Sequence, residues 1–264
     1  AGWIPSSLDE FLATDDPNTV TVVFIHGNRI TAQEASNDGL STYRRIGLAG
    51  PCGPGVRYVI WSWPSDPLHG TLTRDAEIKA ARTDAEAYYV ASFLGRIRGD
   101  VSINLIGFSF GARITGGALH LRGGGSVLGH ALEAPATPRV AAARATLIAA
   151  AMDCDWLMPG RRYGLAVGQV EHMLVTVNCD DIILRHYPRI TDRGVEAIGL
   201  TGVAGAGALG ADRAKIDQRT VTNIVGHRHG WSNYLESPSI MSLVRREIVM
   251  QSMSTASHNV SLAP

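Results

Sequence analysis

Residues 103–113 read Ile103-Asn104-Leu105-Ile106-Gly107-Phe108-Ser109-Phe110-Gly111-Ala112-Arg113, an apolar run that passes through Gly-x-Ser-x-Gly into a stretch with helical character. The string alone is a weak signal. With 29 glycines in 264 residues, roughly 0.2 chance matches are expected, so its flanks must decide. A strand before it and a helix opening on Gly111-Ala112 after it are what a sharp strand-to-helix turn requires. The glycines let the backbone fold back at little steric cost and lift the serine hydroxyl above the sheet. The helix N-terminus directs unpaired N–H groups and the positive end of its dipole at that hydroxyl, which suits a developing oxyanion. Ser109 is therefore the candidate nucleophile, and the plainer alternative is a serine that only caps the helix.

Apolar, β-branched runs bounded by turn residues predict strands at 19–25, 56–62, 101–106, 145–152 and 173–177. Residues 73–97 place Ala80, Ala87, Val90, Ala91 and Leu94 near helical spacing and predict a crossover helix. A second helix over 112–121 is stopped by Gly123-Gly124-Gly125, and a third is expected around 139–144. A last short strand is expected at 219–225, then a helix from Pro238 through Glu247 and a frayed tail over 252–264. The alternation implies an α/β fold, a mostly parallel sheet with helices on both faces and its ligand site at the carboxyl ends of the strands. Residues 194–210, rich in Gly and Ala and nearly uncharged, fit either a flexible surface loop or a tightly packed excursion.

The length suits a single domain over 1–264, with 1–18 as a lead-in segment. Hydrophobic residues make up 45% and charged residues 18%, which provides for a substantial core. Lys+Arg and Asp+Glu are both 24, so no net field favours nucleic acid or an anionic membrane. No apolar run approaches the roughly 18 residues of a membrane span. The chain starts Ala1-Gly2-Trp3 without a Met, which leaves open an earlier leader peptide and the compartment. Cys52, Cys154 and Cys179 form neither a disulfide framework nor a zinc spacing; unpaired thiols are expected, with Cys154–Cys179 as the pairing to test.

Acyl transfer needs a second oxyanion donor, commonly on the loop after an earlier strand. Phe24-Ile25-His26-Gly27-Asn28-Arg29 supplies one. The backbone N–H groups of Asn28 and Phe110 are assigned to the oxyanion hole, and His26 to a structural role within the loop. With the order nucleophile, acid, histidine, the base falls to His229 or His227, ahead of the last helix. His229 is preferred because Gly230 permits a loop tip. A metal reading of the His-x-His pair has no third ligand at a motif spacing. Asp181, directly after the fifth strand, is the expected acid; Asp153 and Asp155 are the alternatives, and Asp180 is expected to be a turn residue. Trp63, Phe108 and Trp231 are expected to line the substrate pocket.

Together VVFIHGNR, VIWSWPSD, INLIGFSFGAR, AAAMDCD, VNCDDIILRHYP and HGWSNYLESPSIMSLV resemble the α/β-hydrolase superfamily, in particular a bacterial branch of α/β hydrolases of unknown function. The resemblance runs from about Val20 to Val249. It implies an α/β-hydrolase fold with Ser109 as nucleophile, Asp181 as acid and His229 as base. Phe108 stands where many relatives have His, which alters the neighbouring pocket. The expected activity is hydrolysis of carboxylic esters through an acyl-enzyme, without a cofactor and on a small-molecule ester. Only about 20 residues separate the fourth and fifth predicted strands, so no large cap domain is expected there. Acyl transfer, lipase or amidase action by the same residues and a non-catalytic binding scaffold are the rival expectations. The oligomeric state is not legible.

Overall fold

Strands made almost wholly of aliphatic residues are stable where both of their faces are covered, the condition inside a parallel sheet flanked by helices. The computed structural model describes residues 3–47, 55–133, 143–190 and 194–261, with side chains through 251 in the last helix. Its main sheet has six strands: β1 (Thr19–Ile25), β2 (Gly55–Trp61), β3 (Ser102–Phe108), β4 (Ala143–Ile148), β5 (His172–Val177) and β6 (Ile216–Thr220). They lie in the order β2-β1-β3-β4-β5-β6, and every pairing is parallel. The order reverses between β1 and β3. The chain leaves β1 to lay β2 on one side, then crosses back to add β3 on the other. In a parallel sheet a ligand crevice is expected outside the carboxyl ends of the strands at such a reversal, and here the loops after β1 and β3 meet there.

Helices α3 (Leu72–Arg96) and α4 (Phe110–Arg122) pack together on one face, and α2 (Ala32–Ile46), α7 (Trp231–Leu235) and α8 (Pro238–Ser261) meet on the other. Between them Val22, Val23, Ile25, Leu105 and Ile106 are at most 1% exposed, and each such side chain contributes roughly 1.5–3 kcal/mol relative to exposure. Thr31 starts α2 with a capping box shared with Glu34, and Gly47 ends it at φ 66°. The lead-in segment carries α1 (Leu8–Leu12), which docks through Phe11 against Phe93 and under Arg57, while Arg57 also pairs with Asp15 at 2.6 Å.

Several sequence expectations are corrected. The fourth strand ends at Ile148 rather than at Met152, because Ala149 turns to φ 48°. Residues 149–152 stay buried but pair elsewhere: Ile198 N–H donates to Met152 O at 2.9 Å and Gly199 N–H to Ala150 O at 3.0 Å. Gly199 is required there, since a Cβ would lie 2.5 Å from Ala150 N. The start of the Gly/Ala-rich stretch is thus a packed excursion, ending in α5 (Ile198–Thr201). The last strand runs over Ile216–Thr220, and α6 (Thr222–Val225) occupies the rest of the segment expected to be extended. Residues 139–142 of the expected third helix lie outside the described residues, and Ala143 and Arg144 already belong to β4. The final helix α8 continues to Ser261, so 252–261 form helical backbone instead of a frayed tail. Cys154 and Cys179 are both free thiols, which removes the disulfide; Cys52 lies outside the described residues.

At the carboxyl edge, His26 ties the end of β1 to the end of β2. Its Nδ1–H donates to Gly27 O at 2.9 Å and its Nε2 accepts from Trp63 N–H at 3.2 Å, while the Trp63 indole returns a bond to His26 O at 2.9 Å. Both rings are buried and stacked, with centroids 5.7 Å apart. Burial pushes the imidazole down to about 4, so it is neutral at pH 7. The unfolded chain takes up this proton below about pH 6.5 while the folded chain does not until about 4. Stability is therefore full above pH 6.5 and lost as pH falls toward 4. Denaturant titrations of the wild type should lose about 2–3 kcal/mol more between pH 7 and pH 4.5 than those of His26→Gln. Equal losses in the two proteins would remove His26 as the source.

Candidate active site

A serine at the end of a strand reaches upward only if its backbone folds back on itself, and Ser109 does so at φ 54°, ψ −115°. For a residue with a Cβ this conformation costs roughly 1–3 kcal/mol and needs outside support. Ser109 N–H donates to Ile148 O at 2.9 Å, and Ser109 O accepts from Ala112 N–H at 3.1 Å and Ala151 N–H at 3.2 Å. The flanking glycines make the turn sterically possible. A Cβ on Gly107 would lie 2.6 Å from Ala112 Cα, and one on Gly111 would lie 2.0 Å from Ile25 O. The start of α4 therefore rests on the end of β1. Although Ser109 occupies the N-cap position of α4, its hydroxyl makes no capping bond.

The hydroxyl instead meets His229. Ser109 Oγ lies 2.9 Å from His229 Nε2, and His229 Nδ1 lies 2.8 Å from Asp181 Oδ2. Asp181 is fully buried, and its other oxygen accepts the N–H groups of Ile183 and Leu184, each at 3.0 Å. These bonds leave Oδ2 aimed at the imidazole and favour the tautomer with the proton on Nδ1, in which Nε2 is free to accept from the serine. The loops that carry His229 and Asp181 are joined by Asn178, whose side-chain N–H donates to Gly226 O at 2.8 Å. Gly226 at φ 62° then turns the chain toward His229. Sequence reasoning did not single out Asn178. Its place directly after a strand and three residues before Asp181 is the signal it left.

The other candidates fall elsewhere. His227 is exposed, 3.4 Å from Asp180 O through Nδ1, and Asp180 pairs with Arg185 at 2.9 Å. Asp153 accepts from the Tyr187 hydroxyl at 2.8 Å, and Asp155 pairs with Arg161. Trp63, Phe108 and Trp231 are 3%, 5% and 4% exposed. Trp63 belongs to the His26 clamp, and the Trp231 indole donates to Thr42 Oγ1 at 3.0 Å. Phe108 fills the space under His229, 5.4 Å from the imidazole centroid and 5.2 Å from the Trp231 ring. The three rings thus lie packed beneath and beside the site, and Phe108 supports the histidine. Tyr234 closes the layer 5.9 Å from Phe108; burial and the neighbouring Asp181 charge hold its hydroxyl protonated.

Opposite His229, the loop after β1 comes directly against Ser109. A Cβ on Gly27 would stand 3.2 Å from Ser109 Cβ and 3.0 Å from Phe108. Among the described residues neither Asn28 N–H nor Phe110 N–H donates to any acceptor. The Asn28 side chain, in contrast, is held on both sides: its Nδ2 donates to Asp75 Oδ2 at 2.9 Å and its Oδ1 accepts from Lys79 Nζ at 3.4 Å. Burial alone would push the Asp75 carboxyl up, but the Leu68 N–H, the Asn28 amide and the Lys79 charge outweigh it and hold the group below its ordinary range. Between β4 and β5, residues 149–171 fold back onto the core through Trp156, Leu157 and Tyr163, with no separate domain inserted. Among the described residues no helix is long and apolar enough to cross a membrane.

No family model and no curated protein matches the chain. Solved structures do. Acyl-protein thioesterase 2 of Zea mays has a TM-score of 0.52 at 16% identity, over 89% of this chain and 94% of that one. A lipase-esterase related protein of Clostridium acetobutylicum scores 0.45 at 10% identity, over 89% and 97%. An esterase B of Lactobacillus rhamnosis scores 0.43 at 11% identity, over 92% and 79%. The likeness to the maize protein spans nearly the whole of both chains, and with its six parallel strands and covering helices this chain has the α/β-hydrolase fold.

Proposed function

We propose that the protein is a serine hydrolase that cleaves carboxylic esters through an acyl-enzyme on Ser109. The observation that carries this reading is the unbroken chain Ser109 Oγ, His229 Nε2, His229 Nδ1, Asp181 Oδ2, with links of 2.9 and 2.8 Å. His229 takes the Ser109 proton as Oγ attacks the ester carbonyl, and buried Asp181 stabilises the resulting imidazolium. The oxyanion is received by the unpaired N–H groups of Asn28 and Phe110, reinforced by the N-terminus of α4. His229 then gives its proton to the leaving alkoxide. A water, deprotonated by the same imidazole, attacks the acyl-enzyme, and the proton returns to Ser109 Oγ as the acid leaves. Thioesters, the class named for the maize protein, follow the same route with a thiolate as leaving group.

Labelling with a fluorophosphonate probe tests the nucleophile. The wild type should be labelled and Ser109→Ala should not; an unlabelled, folded wild type would leave the binding-scaffold reading in place. In an assay with p-nitrophenyl esters of graded acyl length, Asp181→Asn should lower kcat by about 10³–10⁴-fold with KM little changed. Asp153→Asn, Asp180→Asn and His227→Gln should stay within about threefold of wild type, because none of these side chains meets the imidazole. A comparable loss in any of the three would move the acid or the base to that residue.

A further inference from the structure

We propose that Asp75 and Lys79 are positioning residues of the oxyanion hole, acting through the Asn28 side chain to fix the direction of the Asn28 N–H. The inference rests on the reading of Ser109 as nucleophile and of that N–H as oxyanion donor. The two residues sit one turn apart on α3 and are 2% and 0% exposed. Between them they take up both ends of the Asn28 amide. Both are also bonded to the neighbouring loop: Lys79 Nζ donates to Ser65 O at 2.9 Å and to Asp66 O, and Asp75 Oδ1 accepts Leu68 N–H at 2.7 Å. Ser65 closes the circuit, since its Oγ donates to Ile30 O at 2.8 Å and accepts Ile30 N–H at 3.1 Å. Residues 28–30 are therefore held from one side by α3 and from the other by the loop after β2.

Two physical arguments give this cluster its task. A buried ion pair is a poor source of stability, since the desolvation of both charges offsets most of their attraction. Here the polar atoms of the pair are committed to loop atoms around the crevice, including the residue opposite Ser109. The loop itself needs restraint, because Arg29, directly after Asn28, is held at φ 61°, a conformation unfavourable for a side chain with a Cβ. Its guanidinium also reaches Asp75, at 3.6 Å. An oxyanion donor must sit within about 0.5 Å of its productive place to contribute fully. A clamp on the adjacent side chain provides that restraint without occupying the N–H itself.

Asn28→Ala tests this directly, because it keeps the backbone N–H and the Asp75–Lys79 pair but removes both bonds by which that pair holds the Asn28 side chain. Its kcat on p-nitrophenyl butyrate should fall about 10–100-fold with KM within about twofold. The affinity of a trifluoromethyl ketone, whose adduct carries the oxyanion, should fall by the same factor. Asp75→Asn should show the same split, and the double variant should be no worse than the poorer single, as expected for residues acting as one unit. Denaturation midpoints of each variant confirm that folded protein is assayed. Wild-type kcat in folded Asn28→Ala, or losses that multiply in the double variant, would overturn the positioning role. A Ser109→Ala protein that still hydrolyses the ester would instead overturn the parent reading, and the clamp with it.

Discussion

The contact between the first turn of α4 and the last residue of β1 is the constraint from which the rest of the site follows. Gly111 sits so close to the Ile25 carbonyl that a single added carbon would lie 2.0 Å from its oxygen. At that separation only a glycine fits at residue 111, and the strand passes into the helix through one reversed residue, Ser109, at φ 54°. Its positive φ is the geometric remainder of fitting a strand and a helix together this tightly. The same contact brings the loop after β1 alongside the serine. One close approach thus sets the height of the hydroxyl, the direction of the helix N-terminus and the position of Asn28.

The remaining groups arrive on loops that the sheet orders but does not itself rigidify. Asp181 is fixed by two N–H groups of its own loop and His229 by Asp181, by Phe108 below it and by the Asn178 bond to Gly226. Each loop is restrained by atoms of its neighbour rather than by its own strand. On the other side of the crevice, the buried Asp75 and Lys79 do for the β1 loop what Asn178 does for the histidine loop. A crevice at a reversal of strand order thus becomes a site with fixed distances because the loops around it are cross-connected.

Much of the fold was legible because the signals were local. Apolar runs marked β1, β3 and β5 to within a residue or two, and the glycines around Ser109 announced a close approach that only a strand and a helix would require. The fourth strand was misread because burial and pairing are different properties. Residues 149–152 are as apolar as the strand before them, yet their partner is a segment some 50 residues later that no local pattern marks. The place of the aromatic residues was hidden for a similar reason: hydrophobicity predicts that Trp63, Phe108 and Trp231 are covered, not whether protein or substrate covers them. Asp75 and Lys79 look like an ordinary i,i+4 ion pair on a helix surface, and only the three-dimensional fold shows that this face is buried against Asn28, 47 residues away.

Ser109 leaves α4 without a side-chain cap, and the Phe110 N–H has no acceptor among the described residues. A helix in this state gives up about 1 kcal/mol that a capping oxygen would contribute. Under the proposed function, an anionic oxygen held between Phe110 and Asn28 would also be the missing end of the helix. Reaction intermediate and folding ligand would then be the same chemical object, and the proposed chemistry would restore the stability that the uncapped helix gives up. A sequence selected solely for thermal resistance would have reason to cap this helix, and in doing so would close the place proposed for the oxyanion.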